Sequence, residues 1–156
     1  MSRCDPAHRF AAAALLGLLL LLSGCDNKPQ SNLPTIQMQL GNKSFTLEVA
    51  DTTATRTYGL MRRDEMPSDH GMLFVFPDEV ERGFWMKNTR IPLDIVFVNT
   101  SGQVVSVKQM KAYDTNTTPS EGPAMYAIEL NQGAAQSAQI TAGMRLKLPP
   151  GLKARD

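Results

Sequence analysis

The sequence predicts a compact, mainly β domain of sandwich, jelly-roll-like or barrel-like type with one short helix. Three observations carry this. Apolar residues alternate at period two in several short stretches, turn signals rich in Gly, Asn and Ser separate those stretches, and one segment alone shifts to helical spacing.

The elements follow in chain order. Thr35 to Leu40 alternates, Gly41-Asn42 reads as a tight turn, and Lys43 to Val49 alternates again, so this is a hairpin. From Asp51 to Arg62 the alternation stops. Asp51 or Thr52 would cap a helix there, Ala54, Tyr58 and Met61 would share a face, and Gly59 is its weak point. Met72 to Phe76 is a continuous apolar run, followed by candidate strands at 84–88 and 92–99. Ser101-Gly102 turns the chain into a strand over 103–111. The segment 112–123, rich in Thr, Pro and Gly, is long for a connection in a small domain, a trait of functional loops. Ala124 to Leu130 is a further strand, 133–142 holds one helical turn, and Met144 to Leu148 alternates and closes the domain. Roughly seven or eight short strands point to a sandwich or a closed barrel.

The amino terminus reads as an address. Arg3, His8 and Arg9 precede an apolar run of 13 residues, Phe10 to Leu22. A membrane-spanning helix needs about 20 residues, so the run fits a secretory leader better than an anchor. It ends in Leu22-Ser23-Gly24-Cys25, which resembles the lipobox of bacterial lipoproteins. The resemblance implies that residues 1–24 are removed and that Cys25 carries the lipid, with acyl chains such as palmitate. Asp26 resembles the signal that retains such proteins in the inner membrane, on the periplasmic side. Cys4 leaves with the leader, so the mature chain has neither a disulfide nor a free thiol, and cysteine nucleophiles and zinc ribbons are excluded. Residues 25–34 then form a polar tether, 35–149 the domain, and 150–156 a flexible tail.

Charge narrows the partners. The chain of 156 residues has 16 Lys and Arg against 15 Asp and Glu. Loss of Arg3, Arg9 and Asp5 with the leader leaves the two signs equal. A neutral domain is not built to neutralise phosphates, so no nucleic acid is expected. No cofactor is expected either, since no Gly-rich phosphate loop occurs.

The chemistry lies where charge enters apolar strands. In Leu93-Asp94-Ile95-Val96-Phe97-Val98 both faces are apolar, so the strand is central and Asp94 points into an apolar layer. A buried carboxylate must be paired, hydrogen-bonded or protonated. Lys87, Arg90, Arg56 and Arg63 are candidate partners, and backbone N–H groups of the 87–90 turn are the structural alternative. Trp85 lies beside Lys87 and Asn88, and Glu129 sits between Ile128 and Leu130 on the face of Met125 and Ala127. Polar groups converging in an apolar hollow make a small-ligand site. Arg63, Trp85, Lys87, Asn88, Asp94 and Glu129 are therefore the candidate ligand-binding residues.

Gly59-Leu60-Met61 with Arg63, Gly71 to Phe76, Phe84-Trp85-Met86-Lys87-Asn88-Thr89, Pro92 to Ile95, Gly122-Pro123 and Tyr126 to Leu130 resemble the DUF192 (UPF0127) family in order and spacing. The resemblance covers about residues 47–149 and implies a compact, mostly β domain with no assigned activity. Met144 stands where the family usually carries an acidic residue.

Three functions compete. The first is a non-catalytic module binding a small polar ligand or sugar, with Trp85 stacking on it and the 112–123 loop as cover. The second is a glycan hydrolase with Asp94 and Glu129 as acid and base, which requires their carboxyls roughly 5–9.5 Å apart. The third is a Cu(I) site built from His70 with Met61, Met66 and Met72; against it, these thioethers lie on apolar faces as core filler, and no resident metal is expected. A role with an envelope protein partner stays open beside these.

Overall fold

The computed structural model describes residue 30 and residues 32–155; the expected leader, Cys25 and Asp26 lie outside them. Eight strands and two short helices follow in the order β1 (Thr35–Leu40), β2 (Lys43–Ala50), α1 (Thr53–Tyr58), β3 (His70–Val80), β4 (Gly83–Phe84), β5 (Leu93–Val98), β6 (Val104–Met110), β7 (Thr118–Pro119), β8 (Ala124–Asn131) and α2 (Ala134–Ser137). The mainly β class expected from the sequence holds, and α2 is the helical turn expected over 133–142.

Six strands form one mixed sheet in the order β1-β2-β3-β8-β5-β6, and β4 pairs with β7 in a small ribbon. The sheet does not close on itself: β1 and β6 are its edges. All pairs are antiparallel except β2 with β3, which run parallel because α1 carries the chain across between them.

The hairpin forms where alternation and turn chemistry agree. Gly41 adopts a φ of 57°, and the turn is pressed on the end of α2, where Asn42 N–H donates to the Ala138 carbonyl at 3.0 Å. A Cβ on Gly41 would lie 1.9 Å from that carbonyl oxygen, so a side chain is excluded by space as well as by φ. In α1 the cap is Thr52, whose hydroxyl accepts from Thr55 N–H while the Thr55 hydroxyl accepts from Thr52 N–H. The helix stops at Gly59, its C-cap. The face expected from Ala54, Tyr58 and Met61 is not the packed one: α1 has no buried residue, and Leu60 just beyond it enters the core instead.

Both sheet faces are covered. One face presents Leu47, Val49, Leu73, Val75, Val96, Val98, Ile128 and Leu130, and packs under α2 and residues 140–152. The other presents Met72, Phe74, Leu93, Ile95, Phe97 and Ala127 under Leu60, Met86 and Ile91. This explains why every residue of β5 is buried. Two expected strands are shorter or absent. Residues 86–89 make a turn, in which Thr89 N–H donates to the Met86 carbonyl at 3.1 Å. Residues 144–148 contribute a single bridge, Gln103 with Arg145.

The tail is held at two points. Leu152 packs on the first core face, and Arg155 forms a forked pair with Asp51 at 2.6 and 2.8 Å. No described helix is long and apolar enough to cross a membrane.

Candidate functional site

Glu129 is the centre of the site. In β8 it stands beside Met72 of β3 and Ile95 of β5, so its side chain leaves the middle of the second face, where its neighbours on the flanking strands are apolar. It is 4% exposed. No side-chain hydrogen bond reaches its carboxyl among the described residues. Burial pushes its pKa up to about 8, and the Arg63 guanidinium opposes that rise. The carboxyl is therefore mostly protonated at neutral pH, and an OH group that can donate as well as accept stands on the floor of a narrow pocket.

The walls come from three segments: α1 with its cap (Arg56, Tyr58, Gly59), the strand interior (Phe74) and residues 84–89 (Phe84, Trp85, Thr89). The cavity encloses about 30 Å³, space for one water-sized group. Phe84 meets Phe74, Phe76 and Phe97 edge to face at centroid distances of 5.0, 6.2 and 5.6 Å, which fixes one wall. Arg56 Nη1 donates to the Val75 carbonyl at 2.9 Å and pins α1 over the sheet. Trp85 lies at the mouth, 48% exposed, with the Lys87 ammonium 5.2 Å from its ring centroid.

The mouth is laced by backbone bonds between three loops. Arg62 N–H donates to the Asn88 carbonyl at 2.8 Å, Tyr113 N–H to Thr89 at 3.0 Å, and Met86 N–H to Asp114 at 2.7 Å. Arg62, Asn88 and Tyr113 all hold left-handed backbone, with φ of 65°, 58° and 62°. For Arg and Tyr this costs energy that the surrounding contacts must offset, and such strain concentrates at working sites.

The predicted site residues separate into two groups. Trp85 and Glu129 line this pocket, and Lys87 and Asn88 lie in the turn that follows Trp85. Arg63 reaches it indirectly: it grips Glu48 through two bonds of 2.5 and 2.8 Å and donates to the Gln30 carbonyl at 3.0 Å. Asn88 contributes its carbonyl and its turn, and its side chain is exposed. Asp94 belongs elsewhere. Its register partner is Leu130, whereas Glu129 pairs with Ile95, so Asp94 leaves the sheet on the opposite face. The expected single hollow is thus corrected to one site without Asp94, and the Asp94/Glu129 acid–base pair is lost because the sheet stands between the two carboxyls.

Asp94 caps α2. Gly133 offers no side chain there, and Asp94 Oδ2 accepts from Ala135 N–H at 2.9 Å. No side-chain cation pairs with Asp94 among the described residues; its backbone donor is in α2 and not in the 87–90 turn. Asp94→Ala should cost about 1–3 kcal/mol and speed amide exchange at Ala135, whereas Asp94→Asn, which retains an acceptor, should cost clearly less. Urea unfolding and hydrogen exchange check both, and equal effects of the two variants would refute the capping role.

Sequence reasoning missed Tyr58 and Thr89 as pocket walls and placed Arg56 near the wrong carboxylate. Their nearness to Gly59 and to Phe84-Trp85 was the available signal. The metal-ligand candidates stay dispersed in role: Met72 is fully buried in the core and His70 Nδ1 engages Asp69 at 2.8 Å. No cluster of His, Cys, Asp and Glu suited to a metal ion occurs among the described residues.

The fold and site define a mixed β domain with a buried carboxyl beneath an aromatic mouth, and comparison defines the family. The chain belongs to the DUF192 family, described as "Uncharacterized ACR, COG1430", which matches residues 35–148. Two solved structures are similar. A proposed transcription regulator from Sinorhizobium meliloti 1021 is 29% identical with a TM-score of 0.70, over 76% of this chain and 96% of that one. A protein of unknown function from Novosphingobium aromaticivorans DSM 12444 is 32% identical with a TM-score of 0.67, over 78% and 90%. No curated protein matches the chain.

Proposed function

We propose that the protein is an envelope lipoprotein, moored through lipid on Cys25 and facing the periplasm, whose domain binds a small polar ligand without catalysis. One observation carries the binding reading: a buried Glu129 carboxyl, unbonded among the described residues, forms the floor of a pocket whose mouth is an exposed Trp85. A cavity of about 30 Å³ admits one polar group, such as a hydroxyl, and the protonated carboxyl would meet it as donor and acceptor. The rest of the ligand, a sugar ring or a comparable flat polar body, would lie on the indole, with Lys87 and Asn88 beside it.

The regulator description of the Sinorhizobium neighbour is not carried over. With the leader removed this chain has equal numbers of cationic and anionic side chains, and the secretory address takes it away from DNA.

Thermal-shift screening of the soluble Cys25→Ala protein against sugars, amino acids and cell-wall fragments tests the reading. A hit should weaken roughly ten-fold or more in Trp85→Ala, the loss of one stacked ring, and should fall further in Glu129→Leu. A screen without hits, or a hit indifferent to both changes, overturns it. Mass measurement of the membrane-extracted protein tests the lipid on Cys25.

A further inference from the structure

The pocket's position relative to the tether carries a second step, which rests on the lipid-anchor reading above. Five residue steps separate Cys25 from Gln30, whose carbonyl is already bound to Arg63. Fully extended, they span at most about 17 Å. A folded unit of this size is about 35 Å across, so so short a leash does not let the domain turn over. Whichever side receives the leash faces the bilayer.

That side is the pocket side. Arg63 continues the segment that walls the pocket, Leu33 packs on the second core face beneath it, and Arg62 is bonded to the 86–89 turn. Around the mouth project Trp85 and Tyr113, 48% and 61% exposed, which with Val80 are the exposed large apolar side chains among the described residues. Lys87 and Lys111 flank them, exposed, and neither is paired with a carboxylate among the described residues. Indole and phenol rings beside free ammonium groups match the headgroup layer of an anionic bilayer: the rings settle at the level of the glycerol and phosphates, and the cations meet the phosphates.

We infer that the Trp85–Tyr113 rim, with Lys87 and Lys111, rests on the headgroups of the anionic membrane that holds the protein. The pocket above Glu129 then opens toward that layer, and its ligand is reached from the membrane surface and not from open periplasm. A soluble protein or peptide partner at the same rim is the rival occupant.

Trp85 is the sole tryptophan, so its emission reports the contact directly. The full lipidated protein is reconstituted into vesicles of phosphatidylethanolamine and phosphatidylglycerol, with and without lipids spin-labelled at the headgroup. The expected result is a blue-shifted emission relative to soluble Cys25→Ala protein, quenched by the headgroup label. The double charge reversal Lys87→Glu with Lys111→Glu should return the emission to the soluble value while the unfolding temperature stays unchanged. Lipidated protein whose emission equals that of the soluble form overturns this inference alone. An unmodified Cys25 by mass overturns the anchor and this inference together, while the ligand screen on soluble protein judges the pocket separately.

Discussion

Replacing Glu129 with Gln should abolish a steep loss of stability between mild acid and mild alkali. Burial holds the Glu129 pKa at about 8 in the folded protein, against an ordinary 4.5. Between those values the native state keeps a proton that the unfolded chain has released. Stability is therefore full below about pH 4.5 and falls as pH rises, at about 1.4 kcal/mol per pH unit, until the folded group also ionises near pH 8. The total is several kcal/mol, a large share of what holds a small domain together. Gln mimics the neutral acid in shape and does not titrate. Urea unfolding at pH 5, 7 and 8.5 should show the wild type losing its midpoint steadily and Glu129→Gln holding level in that range, ending above the wild type at the alkaline end. Parallel pH profiles would show that Glu129 is solvated or paired after all.

Arg63→Met should cost about 3 kcal/mol, the penalty for stripping the partner from a largely buried ion pair. The Arg63 and Glu48 side chains are 14% and 17% exposed, so the stranded Glu48 carboxylate would have little water to turn to. Arg63 is also the charge that restrains the pKa of Glu129, and its loss should carry the Glu129 titration further up. Arg63→Lys should recover only part of the stability, because an ammonium cannot hold both Glu48 oxygens and the Gln30 carbonyl in one plane. Unfolding at pH 6 and carboxyl titration by NMR follow the two effects; a wild-type midpoint in Arg63→Met would contradict the account.

Much of this was written in local pattern. The faces of β5 were legible because apolar residues filled both, which marks a covered strand. The hairpin at Gly41-Asn42, a cap at Asp51 or Thr52 and the setting of Glu129 between two aliphatic residues were legible for similar reasons. What was not legible was register. Whether Asp94 and Glu129 share a face depends on which residue of β8 stands opposite which residue of β5, and a slip of one residue reverses it. The parallel pairing of β2 with β3 was hidden too, since the crossover helix is too short to announce a βαβ unit. Residues 84–88 alternate like a strand, but only Phe84 pairs as one and the chain turns from Met86 on, because Asn88 accepts a left-handed conformation and Asp114 and Arg62 take up the backbone bonds of the turn.

The clasp of Arg155 on Asp51 has a practical corollary. Near that aspartate the incoming segment is also fastened, through the Val49 N–H bond to the Pro34 carbonyl at 2.8 Å. The first and last described stretches therefore lie at one corner of the domain. A short linker joining them, with new ends opened at Gly133, where a Cβ would meet nothing within 4 Å, describes a circular permutant that should keep the same sheet.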